Sequence, residues 1–92
     1  MEVKIQSIHF DTTEKLQAFI TKKVEKLEKS YEDIQKVEVQ LKVEKPATAL
    51  HKTTSVSVVV QGTTLFVEKT FDTFEEGVAE CVDAMTVQLT KF

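Results

Sequence analysis

Polar and apolar residues alternate in several stretches of this chain, and the alternation predicts its strands. Between residues 36 and 45, valine or leucine occupies every second position, which is typical of a strand with one buried face. Residues 54–61 show the same alternation, and shorter stretches at the N-terminus, ending near His9, and at 65–71 predict two further strands. Pro46 ends the second strand because it removes a backbone donor.

Two other stretches carry apolar residues at helical spacing. The first predicts an amphipathic helix over residues 12–31, with Asp11 as its N-cap and Glu14 reaching back to the cap. The second helix is predicted to begin at Asp72–Thr73 and to run to the end of the chain, with Cys81 on its apolar face.

The resulting order, β-α-β-β-β-α, predicts an α+β fold for residues 1–92 as a single domain. Each helix and the sheet have one apolar face, so we expect a two-layer sandwich: a four-stranded sheet with both helices on one face. The first two strands should be parallel if they are adjacent, because crossovers are right-handed. Residues 61–64 are predicted to turn between the last two strands, and Gly77 to let the second helix lie close to the sheet. Val59 and Phe66 are expected on the solvent side of the sheet.

Composition excludes several classes of protein. The chain has 92 residues, 41% of them hydrophobic and 29% charged, which is ordinary for a globular domain. Its longest aliphatic run is Val58–Val60, too short to span a bilayer, and no signal-peptide pattern opens the sequence. The single cysteine cannot form an internal disulfide and favours a reducing compartment. We therefore expect a cytoplasmic protein with no membrane partner.

Residues with catalytic chemistry are few and isolated. His9 and His51 belong to no motif, and the chain contains no His-x-His or Cys-x-x-Cys pair that would suit a metal. Cys81 is expected to be a small buried hydrophobe, and Glu75–Glu76 to complement the dipole at a helix N-terminus. The sequence therefore predicts no enzyme, no metal, no cofactor and no small-molecule substrate.

The distribution of charge along the first helix is the feature most suggestive of function. The net charge is −3, but nine of the twelve lysines lie in residues 1–45, and arginine is absent. At helical spacing four of them form a lysine stripe between the buried face and an acidic far side, with Lys23 expected on the opposite border of the buried face. The stripe consists of Lys15, Lys22, Lys26 and Lys29.

The lysine stripe admits two interpretations. Four like charges over four turns could follow a phosphate backbone. Alternatively, the stripe is a solvated face whose lysines pair with glutamates three or four residues away, for example Glu25 with Lys29.

Nearly the whole chain resembles the short ribosome hibernation-promoting factors, also called ribosome-associated inhibitors or sigma-54 modulation proteins. The resemblance lies in the opening strand, in the lysine-rich stretch of residues 19–29, in residues 65–68 and in the last helix. It implies the β-α-β-β-β-α fold and a translation inhibitor of idle ribosomes in the stress response. Such a protein binds ribosomal RNA of the small subunit (16S-type rRNA) and occupies the mRNA and tRNA channel. The RNA-binding residues that it implies, with Lys15 added from the helical spacing, are Lys15, Lys22, Lys23, Lys26, Lys29 and Lys91.

The sequence departs from the family pattern near the end of the last helix. The family usually carries several lysines or arginines there, whereas this chain has Ala84, Thr86, Val87 and Thr90 in that region. Fewer phosphate contacts imply weaker binding. This departure leaves open an alternative, a diverged paralogue that acts as a protein-interaction module, with self-association through the sheet face.

Overall fold

The computed structural model describes residues 2–8, 11–43 and 52–91; His9, His51 and the predicted strand end at Glu44–Pro46 lie outside them. The predicted order of elements is confirmed. The elements are β1 (Glu2–Ile8), α1 (Glu14–Ser30), β2 (Lys36–Val43), β3 (Lys52–Val60), β4 (Thr63–Phe71) and α2 (Phe74–Lys91).

The four strands form one sheet in the order β1-β2-β3-β4. As predicted, β1 pairs parallel to β2, with Glu2 opposite Lys36 and Ile5 opposite Val39. The other two pairs are antiparallel, and Val39 lies opposite Val56 in the middle of the sheet. The parallel pair follows from α1, which carries the chain from the end of β1 back to the start of β2.

The hairpin between β3 and β4 is tighter than the sequence suggested. Only Gln61 and Gly62 lie outside the strands, and Gly62 has a φ of 82°. The four-residue turn predicted over 61–64 is therefore wrong, because Thr63 already pairs with Val60. A two-residue loop with positive φ matches the twist of the flanking strands, so the ladder continues to the tip.

Both helices pack on the same face of the sheet, as expected for a two-layer sandwich. The central residues of the core are fully buried and come from the two helices and the two inner strands, β2 and β3. Burying each such side chain stabilises the fold by about 1.5–3 kcal/mol relative to exposing it. The largest are Ile20, Val24 and Leu27 of α1, Val37, Val39 and Leu41 of β2, Val56, Val58 and Val60 of β3, and Val78 and Met85 of α2.

Threonine hydroxyls cap both helices. Thr13 Oγ1 accepts a hydrogen bond from the Leu16 backbone N–H at 3.1 Å, so Thr13 is the N-cap of α1. The predicted cap at Asp11 is wrong, because α1 begins only at Glu14 and Asp11 lies too early to reach its free N–H groups. In α2, Thr73 Oγ1 accepts from the Glu76 N–H at 3.2 Å.

Gly77 brings α2 against β3, as predicted. A Cβ at this position would lie 2.5 Å from Thr54 Oγ1 and 3.1 Å from Thr54 Cβ. Only a residue without a side chain fits this approach. The close packing buries Thr54 and places Cys81 within 3.4 Å of the Thr54 carbonyl oxygen, to which its thiol donates.

The opposite face of the sheet carries mostly polar side chains. Across β3 and β4, Thr53 and Thr70 share a hydrogen bond at 3.0 Å, and Ser55 donates to Glu68 at 3.0 Å. On this face Phe66 is 54% exposed, as expected, whereas Val59 is half-buried.

Candidate nucleic-acid interface

The lysine stripe is solvent-exposed because the opposite side of α1 is committed to the core. Ile20, Val24 and Leu27 are fully buried against the sheet and α2. All four side chains of the stripe are exposed. The helical spacing predicted these four lysines outside the buried face, and their exposure in the fold agrees with that prediction.

Lys23 lies with the stripe and not on the opposite border of the buried face, so that part of the prediction is wrong. Phe19, Lys22, Lys23 and Lys26 together line one open cleft of about 270 Å³, here called the Phe19 cleft. The Lys23 Nζ atom lies 5.6 Å from the centroid of the Phe19 ring, a cation–π contact. The physical reason is the four-residue spacing, which places Lys23 one turn beyond Phe19 on the same side of α1.

A second open cleft of about 310 Å³ lies on the other side of Phe19. It is lined by Thr13, Lys15, Leu16, Phe19 and Glu75, and so lies between the first turns of the two helices. Lys15 therefore shares its surroundings with a carboxylate of α2. Of the two clefts, only the Phe19 cleft is lined by lysines without an acidic residue.

The α1 lysines have no carboxylate partners within the part of the chain that the structure describes. The ion pair found there joins Lys36 Nζ to Glu38 Oε2 at 3.6 Å, on the polar face of the sheet. No nitrogen–oxygen distance within 4.0 Å links an α1 lysine to a described acid, and Glu25 does not pair with Lys29. Contacts with the described residues therefore leave the positive charge of these lysines unneutralised.

Acidic residues are exposed on the remaining sides of the two helices. In α1 these are Glu14, Glu25 and Glu28, and in α2 they are Glu76, Glu80 and Asp83. A polyanion would be attracted to the lysine side of α1 and repelled by these carboxylates. The helical surface thus has one basic side and several acidic sides, and a polyanion would bind on the basic side.

Lys91 does not line the Phe19 cleft or the cleft next to it. It lies three residues after Gln88, whose side-chain amide donates to the Phe66 carbonyl oxygen of β4 at 3.5 Å. Residues three apart in a helix share a side, so Lys91 lies on the β4 side of α2. Neither cleft therefore brings Lys91 together with the α1 lysines.

Cys81 is buried, as the sequence predicted. Burial raises the pKa of its thiol to about 11, and nearby Lys69 offsets only part of that shift. A thiol with this pKa is protonated at neutral pH and is a poor nucleophile. Within the described residues no cluster of His, Cys, Asp or Glu side chains suits a metal ion.

Phe19 is the site residue that reasoning from the sequence missed. Phe19 belongs to the apolar residues at helical spacing in α1, which predicts a core position, but it is only half-buried and lines both clefts. Its position four residues before Lys23 and three before Lys22 was the available signal.

Neither described helix is long and apolar enough to cross a membrane.

Comparison with known proteins identifies the family. The family model described as sigma 54 modulation protein / S30EA ribosomal protein matches residues 3–92. The chain therefore belongs to this family of ribosome-associated modulation proteins, as the resemblance of its sequence implied. No match was found among the curated proteins.

Two solved structures have the same fold. A ribosomal subunit interface protein from Coxiella burnetii is 19% identical with a TM-score of 0.87, and the match covers 99% of this chain and 96% of that one. The N-terminal domain of Protein Y from Thermus thermophilus is also 19% identical, with a TM-score of 0.85 and coverage of 100% and 99%. At this identity the likeness concerns the architecture, and it confirms the α+β fold.

Proposed function

We propose that residues 1–92 act as one ribosome-binding domain that inhibits translation. The α1 lysines bind ribosomal RNA of the small subunit, and the bound domain occludes the channel used by mRNA and tRNA. The observation that carries this proposal is the lysine stripe of α1, which is exposed and has no carboxylate partners among the described residues. Family membership supplies the ribosome as partner.

The kind of recognition follows from the residue types. Lysine ammonium groups are point charges, unlike the planar fork of arginine, which this chain lacks. They bind phosphate oxygens without reading bases, so affinity comes mainly from the RNA backbone and its shape. The carboxylates of α1 and α2 orient the domain, because only the lysine side can approach RNA without repulsion.

Co-sedimentation with small ribosomal subunits at about 50 and about 200 mM salt tests the RNA contact. The variant replaces Lys22, Lys26 and Lys29 by glutamine. Each lost phosphate contact should make the slope of log K against log salt shallower by about 0.7–0.9, so the triple change removes about two to three units.

The control for this experiment removes the same charge elsewhere. Lys4, Lys36 and Lys69 lie outside α1, and their joint replacement by glutamine leaves the lysine stripe intact. The control should retain wild-type sedimentation. Equal loss of binding in both variants would show that net charge matters and that the α1 surface does not.

Occlusion is tested separately by competition. Small subunits saturated with the protein should fail to bind initiator tRNA on a short mRNA, whereas the α1 triple variant should leave that binding unchanged. Simultaneous binding of protein and tRNA to the same subunits would contradict the occlusion step while leaving the RNA contact standing.

A protein-interaction module is a second candidate, favoured by the exposure of Phe66 on the polar sheet face. In this case the domain would self-associate through that face. Sedimentation equilibrium should then show a dimer that Phe66→Ser abolishes. Val87 of α2 is 53% exposed, so Val87→Ser is a matched control that should leave the dimer intact. A monomeric wild-type chain at high concentration would exclude this candidate.

A further inference from the structure

We infer that the Phe19 cleft is a stacking site for one unpaired RNA base, held between the Phe19 ring and the lysines around it. This inference rests on the proposed function, because it takes RNA as the partner of α1. It adds a preference that phosphate contacts alone do not provide, namely single-stranded over double-stranded RNA.

The geometry joins an aromatic surface to three cations. Phe19 is half-buried, so its position is held by the core while part of the ring remains accessible. Lys22, Lys23 and Lys26 line the cleft with it, and none of them pairs with a described carboxylate. An aromatic platform flanked by positive charge is the arrangement with which proteins bind single-stranded nucleic acids.

The size of the cleft limits what it can hold. At about 270 Å³ it falls just below the range of pockets that enclose drug-sized molecules. It is partly open to solvent, so a base attached to a continuous chain can enter without threading. We therefore assign it to a single base, with the adjoining phosphates on Lys22 and Lys26.

Lys23 lies over the Phe19 ring but is held there only weakly. Its Nζ atom lies 5.6 Å from the ring centroid, close to the outer limit of about 6 Å for a cation–π contact. At an exposed site this contact is weaker than stacking of a base on an aromatic ring. A base can thus replace the ammonium group on Phe19, and Lys23 is then free to bind a phosphate.

The neighbouring cleft is the less suitable of the two. It exposes the same ring, but Glu75 lies on its wall and would repel the phosphates that accompany any base. Charge therefore selects the side lined by Lys22, Lys23 and Lys26. In a duplex the faces of the bases are covered by their neighbours, so duplex RNA can contact the lysines but not the ring.

Fluorescence titration with a short RNA that carries 2-aminopurine tests the inference on the full chain. The probe is used as a single strand and in a duplex of the same sequence, with wild type, Phe19→Leu and Phe19→Tyr. Stacking should quench the single-stranded probe with wild type and Phe19→Tyr. Phe19→Leu should lose the quenching and about fivefold to a hundredfold in affinity for the single strand, with unchanged duplex affinity and salt dependence.

The outcomes separate the two proposals. If wild type binds neither RNA, the proposed function falls and the inference falls with it. If wild type binds without quenching, or Phe19→Leu binds the single strand as tightly as wild type, only the stacking site is overturned. Urea unfolding of Phe19→Leu checks that the variant is folded, and quenching by the wild-type chain tests stacking independently of any variant.

Discussion

Replacing Gly77 by alanine tests how closely α2 approaches the sheet. The added Cβ would lie 2.5 Å from Thr54 Oγ1 and 3.1 Å from Thr54 Cβ, so α2 or Thr54 must move. Thr54 is fully buried in the central strand β3, where it has little room to yield. Overpacking of this kind costs about 1–3 kcal/mol.

The same substitution has an opposing effect on the helix itself. Alanine is favoured over glycine in a helix interior by about 1 kcal/mol. Subtracting this gain leaves a net loss in the free energy of unfolding of about 0–2 kcal/mol, which lowers Tm by about 4–8 °C for each kcal/mol in a domain of this size. Replacing an exposed glycine in a helix by alanine would instead raise the free energy of unfolding.

A double-mutant cycle with Thr54→Ala assigns the loss to the contact. Thr54 Oγ1 finds no hydrogen-bond partner among the described residues, so removing it breaks no hydrogen bond and relieves the shorter of the two contacts. In the Thr54→Ala background, Gly77→Ala should lower the free energy of unfolding by less, or should raise it. The coupling energy between the two substitutions should be about 0.5–3 kcal/mol. Urea unfolding of the four proteins gives the cycle. Stabilisation by about 1 kcal/mol from Gly77→Ala alone would refute the close approach.

Two further predictions concern the cap of α1 and the buried thiol. Thr13→Ala should lower the free energy of unfolding by about 0.5–2 kcal/mol because it removes the cap hydroxyl. Asp11→Ala is its control and should have little effect. If Asp11→Ala lost more stability than Thr13→Ala in urea unfolding, Asp11 would be the cap, as the sequence predicted. For Cys81, the folded pKa of about 11 exceeds the ordinary value of 9.0, so above pH 9 the unfolded chain releases the proton first. Stability should therefore fall between about pH 9 and pH 11 by more in wild type than in Cys81→Ala; parallel pH profiles would contradict the burial of the thiol.

The elements of the fold were predictable because their apolar periodicities are clear. Strict alternation in β2 places Val37, Val39 and Leu41 on one face, and all three are fully buried. The two-residue hairpin was not predictable to the same precision, since threonine is compatible with both turns and strands. The cap of α1 was ambiguous for a related reason: Asp11 and Thr13 are both good cap residues, and only the backbone geometry decides between them.

The candidate site was predictable along one helix but not between helices. A helical wheel orders Lys22 and Lys26 correctly, because these residues share one rigid element. Helical spacing also places Lys23 on the Phe19 side of the apolar face, so its expected position on the opposite border was an error of interpretation and not a limit of the sequence. Lys91 does illustrate a limit, since a wheel drawn for α2 carries no information about which side of α2 faces α1. That relation appears only when both helices are packed on the sheet.

The parallel register of β1 has a consequence for the order of folding. Glu2 pairs with Lys36 across an intervening segment that includes all of α1, whereas Val60 pairs with Thr63 across two residues. Closing the longer segment costs more chain entropy before any contact is gained. We therefore expect the β3–β4 hairpin to form early during folding and β1, although synthesised first, to join the sheet among the last elements. Until then β2 keeps an unprotected edge, and the incompletely folded chain is most exposed to aggregation there.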